Sequence, residues 1–212
     1  MKARWAVVCD FDGTITTRDI AEAILERFTG DAWKDIEAEY REGKIGSRIA
    51  LAKQFANVHA SSEEVVAYAL GIAALRPHFK EFAAFCHEKD VPLLVLSEGL
   101  EIYIEPILRR AGANVRYEAN TAAPSEQGMK ILYHDDGMDC ELCGICKFKR
   151  VEDLRDEGYK VMYIGDGYSD LCAARNADLV LAAGYLRERL GGLEFEDFAQ
   201  AAEVLEGLLC LE

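Results

Sequence analysis

Short apolar runs rich in β-branched residues alternate along this chain with longer segments whose apolar side chains recur every three or four positions. Ala6–Cys9, Pro92–Leu96, Lys160–Ile164 and Leu179–Ala182 are runs of the first kind and predict buried strands. Phe79, Phe82, Phe85 and Cys86 share a helical face, as do residues from Glu101 to Arg110 and from Phe195 to Leu209. Between residues 17 and 75 no strand pattern occurs. Asp19 can cap a helix through Ala21, Ile24, Leu25 and Phe28; Trp33, Ile36 and Tyr40 predict a second, and Ile49, Leu51 and Phe55 a third. Ser61 and Glu64 stand at capping-box spacing before a fourth. Val115–Glu118 and Lys130–His134 are short and strand-like, with Pro124 and Gly128 between them, and predict a small hairpin. Strand–helix alternation of this kind predicts an α/β, doubly wound, mainly parallel sheet. The expected layout is a core of residues 1–16 and 76–212, an inserted α-helical unit at 17–75, and a small β insertion within 114–140.

Composition narrows the setting. The chain has 212 residues, half of them hydrophobic, and a formal net charge of −14, with a pI near 4.8. That balance argues against a nucleic-acid partner, which needs a clustered basic face, and against anionic membrane surfaces. No apolar stretch approaches the roughly 20 residues that span a bilayer. Met1 to Trp5 run directly into the first strand and leave no room for a signal peptide, so the expected location is cytoplasmic. In a reducing compartment the seven cysteines favour burial or metal binding over disulfides. Cys140, Cys143 and Cys146 have spacing suited to Zn2+, with His134 or Asp139 as candidate fourth ligand; a free or oxidisable cluster is the alternative.

The candidate chemistry lies where the strands end. The first run stops at Asp10-Phe11-Asp12-Gly13-Thr14, and residues two apart on a strand point the same way. The others stop at Ser97-Glu98-Gly99 and Gly165-Asp166-Gly167-Tyr168-Ser169-Asp170. In open parallel sheets ligands bind at the carboxyl ends of strands, so Asp10, Asp12, Asp166 and Asp170 should converge. Two like charges about 4 Å apart repel by roughly 4 kcal/mol at an effective dielectric of about 20, and the cluster therefore calls for a cation. Oxygen ligands beside a phosphate suit Mg2+, with calcium the weaker alternative. A cationic side chain is also needed; Lys147 opens a helix, and Lys149 is its rival.

These motifs, in this order, resemble the haloacid dehalogenase superfamily of phosphotransferases, and the helical insertion resembles that superfamily's cap over a Rossmann-like core. The resemblance implies that Asp10 is the nucleophile forming an aspartyl-phosphate and that Asp12 is the acid and then the base. It implies further that Ser97 binds a phosphoryl oxygen beside Gly99 and that Lys147 neutralises Asp10 and the phosphate. Asp10, the Asp12 carbonyl and Asp166 would hold Mg2+, with Asp170 supporting them. The cysteine-rich run before Lys147 and the Gly184-Tyr185-Leu186 tail resemble the 2-hydroxy-3-keto-5-methylthiopentenyl-1-phosphate phosphatases of methionine salvage, with phosphoserine phosphatases as near neighbours. Asp19 lies where the latter face the substrate amine, Ala52 stands in place of their cap arginine, and Glu98 replaces a glycine usual in both. Arg48 and Lys53 are the cap cations expected to face substrate, with solvated helix charges as the alternative. The expected activity is hydrolysis of a small phosphorylated metabolite by a monomer or homodimer. Transfer to another acceptor, or a catalytically silent binding protein on the same scaffold, are the alternatives.

Overall fold

The computed structural model describes residues 3–126, 128–133 and 142–210. In chain order the elements are β1 (Arg4–Cys9), α1 (Ile20–Thr29), α2 (Lys34–Arg41), α3 (Ser47–Phe55), α4 (Ser62–Ile72), α5 (Phe79–Glu88), β2 (Leu93–Leu100), α6 (Glu101–Ala111), β3 (Arg116–Ser125) and β4 (Gly128–Leu132). There follow α7 (Lys147–Asp156), β5 (Tyr159–Gly165), α8 (Leu171–Ala174), β6 (Leu179–Ala182), α9 (Gly184–Leu190), β7 (Leu193–Glu194) and α10 (Phe198–Cys210).

The strands form one sheet in the order β4-β3-β2-β1-β5-β6-β7, with β1 central. Every neighbouring pair is parallel except β3–β4. Alternation along the strands explains the apolar runs: Val7, Cys9, Met162 and Ile164 enter one core cluster, while Val8, Val161 and Tyr163 enter the other. Both faces are therefore covered, which a parallel sheet requires. From β1 the chain winds outward through β2 and β3, then crosses back to β5 on the far side of β1. That reversal places the ends of β1 and β5 at a topological switch point, where a crevice opens.

The segment between β1 and α5 is wholly helical, and Thr16 bridges Leu75 where it leaves and rejoins the sheet. Ser61 and Glu64 form the reciprocal capping box their spacing predicts. The strand-like pieces around 115 and 130 differ from expectation. They do form a hairpin, but Arg116–Glu118 also register in parallel against Leu94–Leu96, so β3 is a strand of the main sheet rather than part of a separate insertion. Short apolar content hid it, since an edgeward strand is buried on less of its surface.

Beneath the sheet, α10 closes one core through Phe198, whose ring centroid lies 5.0 Å from Phe79, 5.4 Å from Phe82 and 5.1 Å from Phe195. Phe198→Ala is expected to destabilise the protein by about 3–5 kcal/mol, read as a lowered denaturation midpoint with an unchanged m-value.

Candidate active site

At the end of β1 the backbone must turn sharply without losing the direction of Asp10. Phe11 is fully buried, and its carbonyl accepts from the amides of Thr14, Ile15 and Thr16. Gly13 takes φ +78°, and a Cβ there would collide with the Asp166 carboxylate. Arg76, just past the helical segment, locks the turn by donating to the Gly13 carbonyl at 2.7 Å and the Thr14 carbonyl at 2.8 Å. No motif marked Arg76 in the sequence; only the return of the chain beside Ile15 brings it there.

Lys147, the first residue of α7, is 3% exposed, and its Nζ lies 2.6 Å from Asp10 and 2.7 Å from Asp170. Burial alone would lower its pKa, but the charges of Asp10 and Asp170 outweigh that and hold the ammonium charged. Lys149, its rival, is half-exposed and pairs with Asp153. Asp170 is saturated: Oδ1 accepts from Lys147 and from Tyr163 Oη at 2.6 Å, and Oδ2 from the amides of Asp166 at 3.0 Å and Gly167 at 2.8 Å. It has no acceptor position to spare and braces the lysine and the β5 turn from behind.

Negative charge remains in excess. Burial and then the charge of Asp170 push the Asp10 pKa well above the usual carboxylate range. Burial also raises Asp166 to about 6, against the 2.5 Å hydrogen bond from Thr14 Oγ1. Oxygens of Asp10, Asp166 and Asp170 lie within 4.8 Å of one another, and among the described residues they are the group of His, Cys, Asp or Glu side chains that could share an ion. A hard divalent cation fits the oxygens of Asp10 and Asp166 and the uncompensated charge, with the saturated Asp170 behind them. The cysteines give no such fit. Cys140, His134 and Asp139 lie outside the described residues, Cys146 is buried at the start of α7, Cys143 is half-buried, and zinc there is unsupported.

Asp12 is set apart from that group. Its Oδ1 accepts from the Ile20 amide at 3.0 Å, while Oδ2 accepts from Tyr103 Oη at 2.7 Å and Ser97 Oγ at 3.3 Å. Burial raises its pKa, opposed first by the Tyr103 bond. Tyr103 was invisible in the sequence as anything but an apolar position of α6. Gly99 makes room for it, since a Cβ at residue 99 would strike the Tyr103 hydroxyl and Asp12, and the Gly99 amide donates to Ser97 Oγ at 2.9 Å.

Over these groups lies a cavity of about 280 Å³, closed on the other side by α1 to α3. Trp33, Glu37, Tyr40 and Arg41 line it from one face of α2, and Ser47, Ala50, Leu51, Gln54 and Phe55 from one face of α3. Asp19 also lines it while capping α1 through the Glu22 amide at 2.8 Å. Arg48 and Lys53 do not line it. They fall off the inward face of α3, where Arg48 stacks 4.4 Å over Tyr133 and Lys53 sits 3.7 Å from Glu39. The cation that helical spacing would have selected is Arg41, in register with Trp33 and Glu37.

Comparison with known proteins agrees with this geometry. The family model of haloacid dehalogenase-like hydrolases matches residues 7–175. The chain is 34% identical over 208 residues to the "Bifunctional enzyme MtnB/MtnX" of Bacillus licheniformis, covering 94% of this chain and 49% of that protein, so it spans about half of that relative. It is 32% identical over 218 residues to the 2-hydroxy-3-keto-5-methylthiopentenyl-1-phosphate phosphatase of Geobacillus thermodenitrificans, covering 100% and 99%. Phosphoserine phosphatase from T. onnurineus shares the fold, with a TM-score of 0.70 at 20% identity over 96% of this chain and 95% of that one.

Two variants test the arrangement. Lys147→Met leaves buried carboxylates without their counter-charge, and the expected result is a stability loss of about 3–5 kcal/mol in thermal or denaturant unfolding together with loss of turnover. Tyr103→Phe removes one charge-assisted hydrogen bond worth about 1.5–3 kcal/mol from Asp12. Hydrolysis of alkyl phosphates should fall about ten- to a hundredfold, whereas p-nitrophenyl phosphate, whose leaving group needs little protonation, should be nearly unaffected.

Proposed function

Because the chain belongs to the haloacid dehalogenase-like hydrolase family and is a phosphatase, we propose that it is a Mg2+-dependent phosphomonoester hydrolase acting on 2-hydroxy-3-keto-5-methylthiopentenyl-1-phosphate through an aspartyl-phosphate. The observation that carries the reading is the pairing of two carboxylates with separate environments, buried Asp10 on Lys147 and half-buried Asp12 on Tyr103, beneath one cavity. We take residues 17–75 as the cap over a core of 1–16 and 76–212, and the cytoplasm as its setting.

Asp10 attacks phosphorus as the P–O bond to the leaving group breaks, and Asp12 delivers a proton to the departing oxygen. Water then attacks the aspartyl-phosphate; Asp12 takes its proton, and inorganic phosphate leaves with the Asp10 carboxylate restored. Ser97 and Lys147 hold the phosphoryl oxygens, the lysine supplying fixed positive charge where negative charge builds up. Mg2+, held by Asp10, Asp166 and the Asp12 carbonyl with Asp170 bracing them, would offset the remaining charge of phosphate and carboxylates.

The relatives' printed substrate, a hydroxy-keto enol phosphate with a methylthio tail, matches the cavity wall. Leu25, Leu51 and Phe55 offer an apolar surface for the tail. Trp33 adds its ring to the same wall. Phosphoserine is the secondary reading and rests on likeness of fold.

The test is phosphate release from both substrates by purified protein. The expected outcome is a higher kcat/KM for the enol phosphate, loss of activity with EDTA, recovery with Mg2+, and no turnover by a folded Asp10→Asn variant. Preference for phosphoserine would overturn the substrate, and an active Asp10→Asn enzyme would overturn the mechanism.

A further inference from the structure

Glu98 is the residue of the cavity that neither the phosphoryl chemistry nor the fold explains. It follows Ser97 directly, and its side chain lines the cavity. The main chain is fixed there by Asn120, whose Nδ2 donates to the Glu98 carbonyl at 2.8 Å. Oε1 accepts from Ser47 Oγ of α3 at 2.8 Å, while Oε2 has no partner among the described residues. Glu98 is half-buried and lines the cavity, and its carboxylate, when ionised, accepts hydrogen bonds and donates none.

The charges around it are arranged the same way. Asp19, Glu22 and Glu37 also line the chamber beyond the phosphoryl position. Its cation there, Arg41, is already paired with Glu37 at 2.6 Å, and Lys147 is shared between Asp10 and Asp170. Among the described lining residues none offers an unpaired positive charge to a second acidic group of a substrate. Burial, opposed mainly by Lys147, pushes the Glu98 pKa to about 7.

We propose that Glu98 determines specificity by accepting a hydrogen bond from a hydroxyl of the leaving group and repelling phosphomonoesters that carry a carboxylate in place of that hydroxyl-bearing carbon. Discrimination then comes from a repulsive element built beside the phosphate site as well as from attraction. The claim rests on the phosphatase reading of this cavity and holds for any uncharged, hydroxyl-bearing leaving group.

Glycerol 3-phosphate and 3-phosphoglycerate differ at one terminus, hydroxymethyl against carboxylate, and both can compete with p-nitrophenyl phosphate whether or not they are hydrolysed. At pH 8 the Glu98 carboxylate is mostly ionised. The expected inhibition constant of 3-phosphoglycerate is at least about tenfold above that of glycerol 3-phosphate. Glu98→Gln, which keeps the shape, and Glu98→Ala should each narrow the ratio to within about threefold. Ser47→Ala, which releases α3 but leaves the charge, should keep the wild-type ratio. Equal inhibition by the two compounds in the wild type, a ratio that survives both Glu98 variants, or a ratio lost equally in Ser47→Ala would each overturn the proposal. Failure to hydrolyse the enol phosphate would instead overturn the substrate assignment and leave this ratio standing.

Discussion

A single ammonium group holds this site together. Lys147 Nζ sits between Asp10 and Asp170 in a place that water hardly reaches, and each of the three comes from a different element: β1, α7 and the turn after β5. Ion pairs so deeply buried have little net worth for stability and a high cost when one partner is lost. Their value here is positional. The bond to Asp10 fixes the direction of that carboxylate, and Asp170 fixes the turn that presents Asp166. The cluster still carries more negative than positive charge, and the need for a divalent cation follows from that imbalance.

The two carboxylates at the end of β1 have different surroundings. Asp10 faces a cation, and Asp12 faces hydroxyls and an amide. One carboxylate is set against positive charge and its neighbour among neutral donors, the kind of difference that sets two carboxyl groups apart chemically. The Ile20 amide that reaches Asp12 begins α1, so the orientation of Asp12 and the seating of the helical segment are coupled. A second tie crosses at Ser47 and Glu98, and Tyr40 packs edge-on against Tyr168 at 5.0 Å. Through these contacts the helices that line the cavity also orient the polar groups at the strand ends.

An enzyme with a net charge of −14 acting on an anion must solve its electrostatics locally. The protein does so with a small number of buried, oriented groups at one end of the cavity and an acidic wall at the other. Field strength over the whole surface matters less than these near neighbours, because charges beyond a Debye length are largely screened.

Most of the sheet and the phosphoryl end of the site were legible in the residues alone. Period-two and period-3.6 patterns mark where a side chain must be buried, and Asp10, Asp12, Ser97, Asp166 and Asp170 stand directly at the ends of strands whose direction is dictated by winding. Lys147 was legible as a helix start, but its burial and the exposure of Lys149 were decided by packing. The membership of β3 in the main sheet, the clamp by Arg76 and the hydroxyl of Tyr103 on Asp12 were likewise settled only by tertiary structure. So was the choice of Arg41 over Arg48 and Lys53 as the cavity's cap cation. Local sequence specifies which face of an element is apolar and where the chain turns. Which polar group meets which across more than fifty residues depends on how helices rotate and seat against the sheet, and that is determined by the packing of the whole core.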